Sequence, residues 1–130
     1  MDALLSIPVA VRWAITLLFI GFIIGLSVTP GVERPDDNLF SLLFANTAPL
    51  VQKVLHVVTY AMLAVLWMWT LAGIERLPQR IALSFMLALV LGVVLEWCQT
   101  TIPGRYGSIA DILLNTVGIV AGLVVALFLL

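Results

Sequence analysis

Nine polar residues after position 50 have the types and spacings that could build a binding or catalytic site. Histidine can exchange a proton near neutral pH, carboxylates can orient it, and lysine or arginine attracts anions. Tyrosine, glutamine, serine and asparagine supply directional hydrogen bonds. In chain order the nine candidates are Lys53, His56, Tyr60, Glu96, Gln99, Arg105, Ser108, Asp111 and Asn115.

Helical spacing places these candidates in stripes. Lys53, His56 and Tyr60 are three and four residues apart, so they share one side of a helix, and Glu96 and Gln99 do the same. The spacing therefore predicts polar stripes on two helices, each facing a protein interior.

A third stripe follows the turn at residues 101–107. Ser108, Asp111 and Asn115 are again three and four residues apart, and Gly118 and Gly122 continue the same side. Ser108 and Asp111 also fit a helix capping box, in which the two side chains satisfy backbone donors at a helix start. This structural interpretation is compatible with a role in a site.

The composition indicates a membrane protein. Hydrophobic residues make up 63% of the 130 residues and charged residues only 10%, against about 25% in soluble proteins. The net charge is −1 and no basic run occurs, so nucleic acid is not an expected partner. A single cysteine, Cys98, cannot form an intrachain disulfide.

Apolar windows of roughly 20 residues are long enough to cross a bilayer as helices. They predict an all-α, polytopic membrane fold in which residues 1–130 form one domain, an up-down bundle of four transmembrane helices with a short interfacial helix between the first and second. The predicted transmembrane helices cover residues 11–28, 48–71, 81–100 and 108–130, and the interfacial helix covers residues 38–46.

In an up-down bundle, the start of the second helix, the end of the third and the start of the fourth lie at one membrane face. Ionisable groups inside lipid are costly unless they face protein, water or one another. We therefore expect Lys53, His56, Glu96, Arg105 and Asp111 to turn inward and pair. The opposite face is expected to offer no comparable cluster.

The ordered pattern of these residues resembles the VanZ-like family of small membrane proteins over about residues 53–122. The matching motifs are Lys53-x2-His56-x3-Tyr60, Glu96-x2-Gln99 and Arg105-x2-Ser108-x2-Asp111-x3-Asn115-x2-Gly118-x3-Gly122. Members often have an aspartate directly before the lysine, where this chain has Gln52. The resemblance implies a bacterial inner-membrane protein related to one linked with resistance to the glycopeptide teicoplanin.

The leading hypothesis is a pocket that binds an anionic amphiphile, either a membrane lipid or a lipid-linked envelope precursor. Lys53 and Arg105 would attract the head group, and His56 with Glu96 or Asp111 would handle protons or orient the ligand. The remaining candidates would donate hydrogen bonds. Two alternatives stay open: a hydrolase or transferase acting on such a lipid, with candidate catalytic residues His56, Glu96 and Asp111, and a small dual-topology transporter.

No cofactor or metal is expected. The sequence has no H-E-x-x-H, glycine-rich phosphate loop, G-x-S-x-G or C-x-x-C motif. His56 with Glu96 and Asp111 could in principle hold a metal, but one imidazole and two carboxylates in a sequence are weak support for such a site.

Orientation follows from lysine and arginine. Each face carries three, and the tie is broken only when Lys53 and Arg105 are set aside as site residues. The positive-inside rule then places both termini in the cytoplasm and the polar cluster on the outer side.

Small residues and tryptophans predict packing and anchoring. Gly21 with Gly25, and Gly118 with Gly122, form small-xxx-small pairs that favour close helix packing, within the chain or in a homodimer. The tryptophans are expected to be interfacial anchors. They are Trp13, Trp67, Trp69 and Trp97.

Overall fold

The structure, a computed structural model, describes residues 2–29 and 49–130. Its helices are α1 (Asp2–Leu5), α2 (Val9–Val28), α3 (Pro49–Thr70), α4 (Leu77–Gln99) and α5 (Ile109–Leu129). No strand occurs in these two stretches, which confirms the all-α prediction. The predicted interfacial helix at residues 38–46 lies outside the described residues.

Four helices of the described part, α2 to α5, are long and apolar enough to span a membrane. Their spans have 20 to 23 residues and mean hydropathies of 1.6 to 2.6. Large apolar side chains remain exposed on the bundle surface, with Leu18 at 75% and Phe128 at 85%. Such a surface is stable in lipid and not in water, so the chain is a multi-pass membrane protein.

The start of α4 differs from the prediction. The helix begins at Leu77, whereas the sequence placed its start at residue 81. Pro78 lies in its first turn, where a missing backbone N–H costs nothing because the first amides of a helix have no intrahelical acceptor. The predicted start at residue 81 leaves Pro78 in the preceding loop.

Helices α3 and α5 run parallel and in close contact. A Cβ on Gly118 would overlap the carbonyl oxygen of Val57, and one on Gly122 would overlap that of Ala61. The same four-residue step on both helices fixes their register. This close approach confirms the prediction that the glycine pair packs helices, and it shows that the pair is used within the chain.

Helix α4 runs antiparallel to α3. Gly92 of α4 faces the Tyr60 ring, where an added Cβ would lie 3.1 Å from Cε1. Glu96, four residues after Gly92 on α4, faces His56, which lies four residues before Tyr60 on α3. The beginning of α3, the end of α4 and the beginning of α5 therefore meet at one end of the bundle.

Candidate functional site

His56 and Asn115 join α3 to α5 at this end of the bundle. The Nδ1 of His56 lies 2.8 Å from the Oδ1 of Asn115. An amide oxygen only accepts, so Nδ1 donates this hydrogen bond, and in the neutral ring the lone pair is on Nε2. Asn115 is fully buried and His56 half-buried. The imidazole is therefore held in one orientation by a neighbouring helix.

Glu96 brings α4 into the same cluster. Its Oε1 lies 3.9 Å from His56 Nδ1, and its side chain is 4% exposed. Its Oε2 accepts a hydrogen bond of 3.2 Å from the backbone N–H of Ser108. One carboxylate thus contacts both the candidate base and the start of α5.

The predicted cap at the start of α5 is confirmed, with one change in its partners. The Oγ of Ser108 accepts from the Asp111 N–H and donates to Asp111 Oδ2, both at 3.0 Å. In a capping box the acidic side chain would also accept from the Ser108 N–H. Here Glu96 takes that role from another helix, which ties Asp111 into the cluster through Ser108.

The three ionisable side chains of the cluster converge. One ring nitrogen of His56, one oxygen of Glu96 and one oxygen of Asp111 all lie within 4.8 Å of one another. They come from three helices, and Glu96 is buried while the other two are half-buried. The expected inward turn of these three residues is therefore observed.

Arg105 also turns inward, but its hydrogen bonds go to the end of α2. Its Nε donates to the carbonyl of Thr29 at 3.0 Å and its Nη2 to that of Leu26 at 2.9 Å. Burial lowers the pKa of the guanidinium, and the Glu96 carboxylate partly offsets this by raising it. Arg105 thus caps the last turn of α2, where partial negative charge favours a cation.

A cavity of about 210 Å³ lies between α2 and the α3–α4 pair. Tyr60, Glu96 and Gln99 are buried in its wall. Phe22 and Leu55 also line it, and both are exposed on the apolar outer surface of the bundle. The cavity therefore joins a polar interior to an exposed apolar rim.

The nine predicted site residues fall into three groups. Five line the cavity, namely His56, Tyr60, Glu96, Gln99 and Arg105. Ser108, Asp111 and Asn115 lie behind this lining and contact it through His56 and Glu96. Lys53 does not join them: it is exposed, lies outside the lining, and has no ion-pair partner among residues 2–29 and 49–130.

Three polar cavity residues were not among the predicted site residues. Gln52 and Thr59 lie four residues before and three residues after His56, so they share its side of α3. Ser27 comes from the last turn of α2. Helical spacing from His56 could have found the first two, whereas Ser27 carried no signal beyond being polar in an apolar helix.

The opposite end of the bundle also has buried polar contacts. Thr16 and Thr70 are buried and share a 2.7 Å hydrogen bond between their hydroxyls. Arg12 Nη1 donates to the Trp69 carbonyl at 2.9 Å. These contacts join short polar side chains of α2 and α3 inside the bundle, and they are not a cluster of converging ionisable groups. Among the described residues, the expectation of no comparable cluster at this end therefore stands.

Two tryptophans are also not interfacial anchors. Trp67 and Trp69 are buried, at 6% and 8% exposure. Trp67 packs edge-to-face on Trp13 with ring centroids 5.7 Å apart, and Trp69 Nε1 donates to the Leu4 carbonyl at 2.8 Å. These rings hold α1, α2 and α3 together, so the anchoring interpretation remains only for the exposed Trp13 and Trp97.

Comparison with known proteins gives one result. No curated protein and no solved structure matches the chain. The family model described as VanZ/LLP1 matches residues 6–130, well beyond the part on which the resemblance was based. The chain belongs to the VanZ/LLP1 family.

Proposed function

We propose that the cavity binds an anionic amphiphile, either a membrane lipid or a lipid-linked envelope precursor. The observation that carries this proposal is the change in polarity along one cavity. Phe22 and Leu55 form an apolar rim open to the bilayer, and Glu96 and Gln99 are buried in the interior. An acyl chain could lie at the rim while a polar head enters.

Hydrogen-bond donors in the lining suit a head group rich in oxygen. Tyr60 offers a hydroxyl, Gln99 an amide and Thr59 a second hydroxyl, all in the cavity lining. Arg105 holds its positive charge at the wall, and Lys53 is an exposed cation near the start of α3. In this proposal Lys53 attracts the anion from outside, and the lining residues orient it.

The proposed setting is the bacterial inner membrane, with both termini in the cytoplasm. Arg12, Arg76 and Arg80 lie on the side of the termini, which the positive-inside rule places in the cytoplasm. The cavity then opens toward the outer leaflet. Family membership makes a link to teicoplanin resistance part of the proposal, and expression in a susceptible host would test it by the teicoplanin concentration that stops growth.

Retention of lipid by the purified protein tests binding. Native mass spectrometry would compare bound phosphatidylglycerol and phosphatidylethanolamine in the wild type, Thr59→Trp and Val58→Trp. Thr59 lines the cavity, whereas its neighbour Val58 is exposed on the bundle surface and outside the lining, so it is a matched control.

The proposal expects preferential retention of the anionic lipid by the wild type and by Val58→Trp, and its loss from Thr59→Trp because the indole fills the cavity. Equal retention of both lipids, or retention that Thr59→Trp leaves unchanged, would overturn it.

A hydrolase or transferase is a second candidate, favoured by the contact between His56 and Asn115. With Nδ1 donating to Asn115, the lone pair on Nε2 is available to accept a proton from a nucleophile. Turnover of a phospholipid by the purified wild type, and its loss in His56→Gln, would support this candidate. Absence of turnover across envelope lipids would reject it.

A further inference from the structure

The cluster of His56, Glu96 and Asp111 has the donor atoms of a metal site. Its three ligand atoms lie within 4.8 Å of one another. Ligands at about 2.0–2.2 Å from one ion lie about 3–4 Å apart, so modest side-chain rotation would bring all three into contact with a shared ion. The residues come from α3, α4 and α5, which fixes their positions relative to one another.

Asn115 supplies a fourth donor. Its Oδ1 lies 2.8 Å from His56 Nδ1, so the two atoms would only have to move slightly apart to reach the separation of about 3–4 Å between ligands of one ion. An ion held between these atoms would replace the hydrogen bond between them, and the ring proton would move from Nδ1 to Nε2. The oxygen of Asn115 would then complete a set of one nitrogen and three oxygens.

The charge of the cluster also points to a cation. Glu96 and Asp111 bring two carboxylates together at a membrane-embedded position, where uncompensated charge is costly. Lys53 is exposed and makes no ion pair among the described residues, and the hydrogen bonds of Arg105 are directed to α2. Within the described residues, the only ion-pair contact of either carboxylate is the 3.9 Å approach of Glu96 to His56, which carries a charge only when its imidazole is protonated.

We propose that His56, Glu96, Asp111 and Asn115 bind one divalent cation that accepts mixed nitrogen and oxygen ligands, of the Zn²⁺ or Mn²⁺ type. Imidazole favours such first-row ions over Mg²⁺ and Ca²⁺, which prefer oxygen alone. The bound ion allows a cavity wall that holds carboxylates to bind a phosphate or another anionic head group. This last step rests on the proposed function, whereas binding of the ion does not.

The test is metal binding by the purified, tag-free protein. Elemental analysis after gel filtration would give the stoichiometry of Zn²⁺ and of Mn²⁺, and competition with a chromogenic chelator would give the Kd. The variants are Glu96→Gln, which keeps an acceptor for the Ser108 N–H, and Asp111→Asn, which keeps one for the Ser108 hydroxyl. Glu75→Gln is the matched control, since Glu75 is exposed in the loop between α3 and α4.

We expect about one ion per chain, a Kd raised at least about tenfold in Glu96→Gln and Asp111→Asn, and no change in Glu75→Gln. We also expect added metal to raise the thermal unfolding temperature of the wild type more than that of either site variant, because the ion joins three helices. A cooperative unfolding transition of each site variant without added metal would show that the variant is folded.

Absence of stoichiometric Zn²⁺ or Mn²⁺, or binding that both site variants leave unchanged, would overturn the assignment. Binding of Mg²⁺ or Ca²⁺ alone would overturn the role of the imidazole. Lipid retention measured with and without EDTA separates the two proposals: anionic lipid retained equally without metal contradicts the ion's role and leaves the proposed function standing.

Discussion

At the scale of single residues, Glu96 connects the chemistry of the site to the structure that holds it. One oxygen lies 3.9 Å from His56 and the other accepts from the Ser108 N–H. The two roles can be separated by substitution, because glutamine keeps an acceptor for the amide but loses the charge.

Glu96→Ala is predicted to lower the free energy of unfolding by about 1–3 kcal/mol, since it leaves the Ser108 N–H without its acceptor. Glu96→Gln should recover most of this loss while still impairing ligand or metal binding. Thermal unfolding in detergent would measure both, with Glu75→Ala in the exposed loop as a control. Equal stability of the alanine and glutamine variants would contradict the capping role.

Sequence spacing predicted most of the residues that meet at the site, but not the position of Lys53. The three-residue step to His56 places Lys53 on the same broad side of α3, which is why inward pairing was expected. Most of the α3 residues that line the cavity lie on the Gln52 side of His56, and Lys53 is about 100° round the helix from Gln52. Near the helix start a long lysine chain can reach water instead of a partner.

At the scale of elements, the contact between α3 and α5 positions His56 against Asn115. Because Gly118 and Gly122 have no side chain, the α5 backbone can lie directly on the carbonyls of Val57 and Ala61. Any added atom would separate the helices and lengthen the contact between His56 and Asn115.

Gly118→Ala and Gly122→Ala are each predicted to lower the free energy of unfolding by about 1–3 kcal/mol, the usual cost of overpacking. Gly21→Ala and Gly25→Ala are matched controls on α2, where an added Cβ meets nothing within 4 Å. Thermal unfolding of the four variants in one detergent would measure the difference. A loss of stability in the α2 variants equal to that in the α5 variants would argue against close packing of α5 on α3 at Gly118 and Gly122, and would favour a homodimer through Gly21 and Gly25.

The caps of α5 and α2 differ in how far they could be predicted from the sequence. The serine before α5 predicted its start, because a cap is a local interaction between residues three apart. Arg105 caps α2 through the carbonyls of Thr29 and Leu26, which lie 76 and 79 positions before it in the chain. No local sequence pattern predicts a contact over such a separation. The sequence therefore indicated that Arg105 turns inward without indicating its partner.

At the scale of the whole molecule, composition and apolar windows were sufficient for the four-helix membrane fold. Hydropathy reports which segments can cross lipid, and it does so whatever they pack against. The polar network of Thr16 and Thr70 and the burial of Trp67 depend on packing between helices. Those features were missed because the same residue types also occur at membrane interfaces.

Topology is the prediction that belongs to this scale. Reporter fusions after Leu130 and within the loop at Glu75 should both report the cytoplasm, and a fusion in the loop at residues 101–107 should report the opposite side. The loop fusions serve as controls for each other. A C-terminus found in both orientations would contradict a single topology and favour the small dual-topology transporter.

The central claim is that the cavity between α2 and the α3–α4 pair receives an anionic amphiphile through its apolar rim. The most direct measurement is photocrosslinking with a diazirine phosphatidylglycerol in a bilayer, with the adducts located by peptide mass spectrometry. The account predicts adducts concentrated at Phe22 and Leu55, and their loss in Thr59→Trp but not in Val58→Trp. Adducts spread evenly over the exposed apolar surface, including Phe128 far along α5, and unchanged in Thr59→Trp, would contradict it.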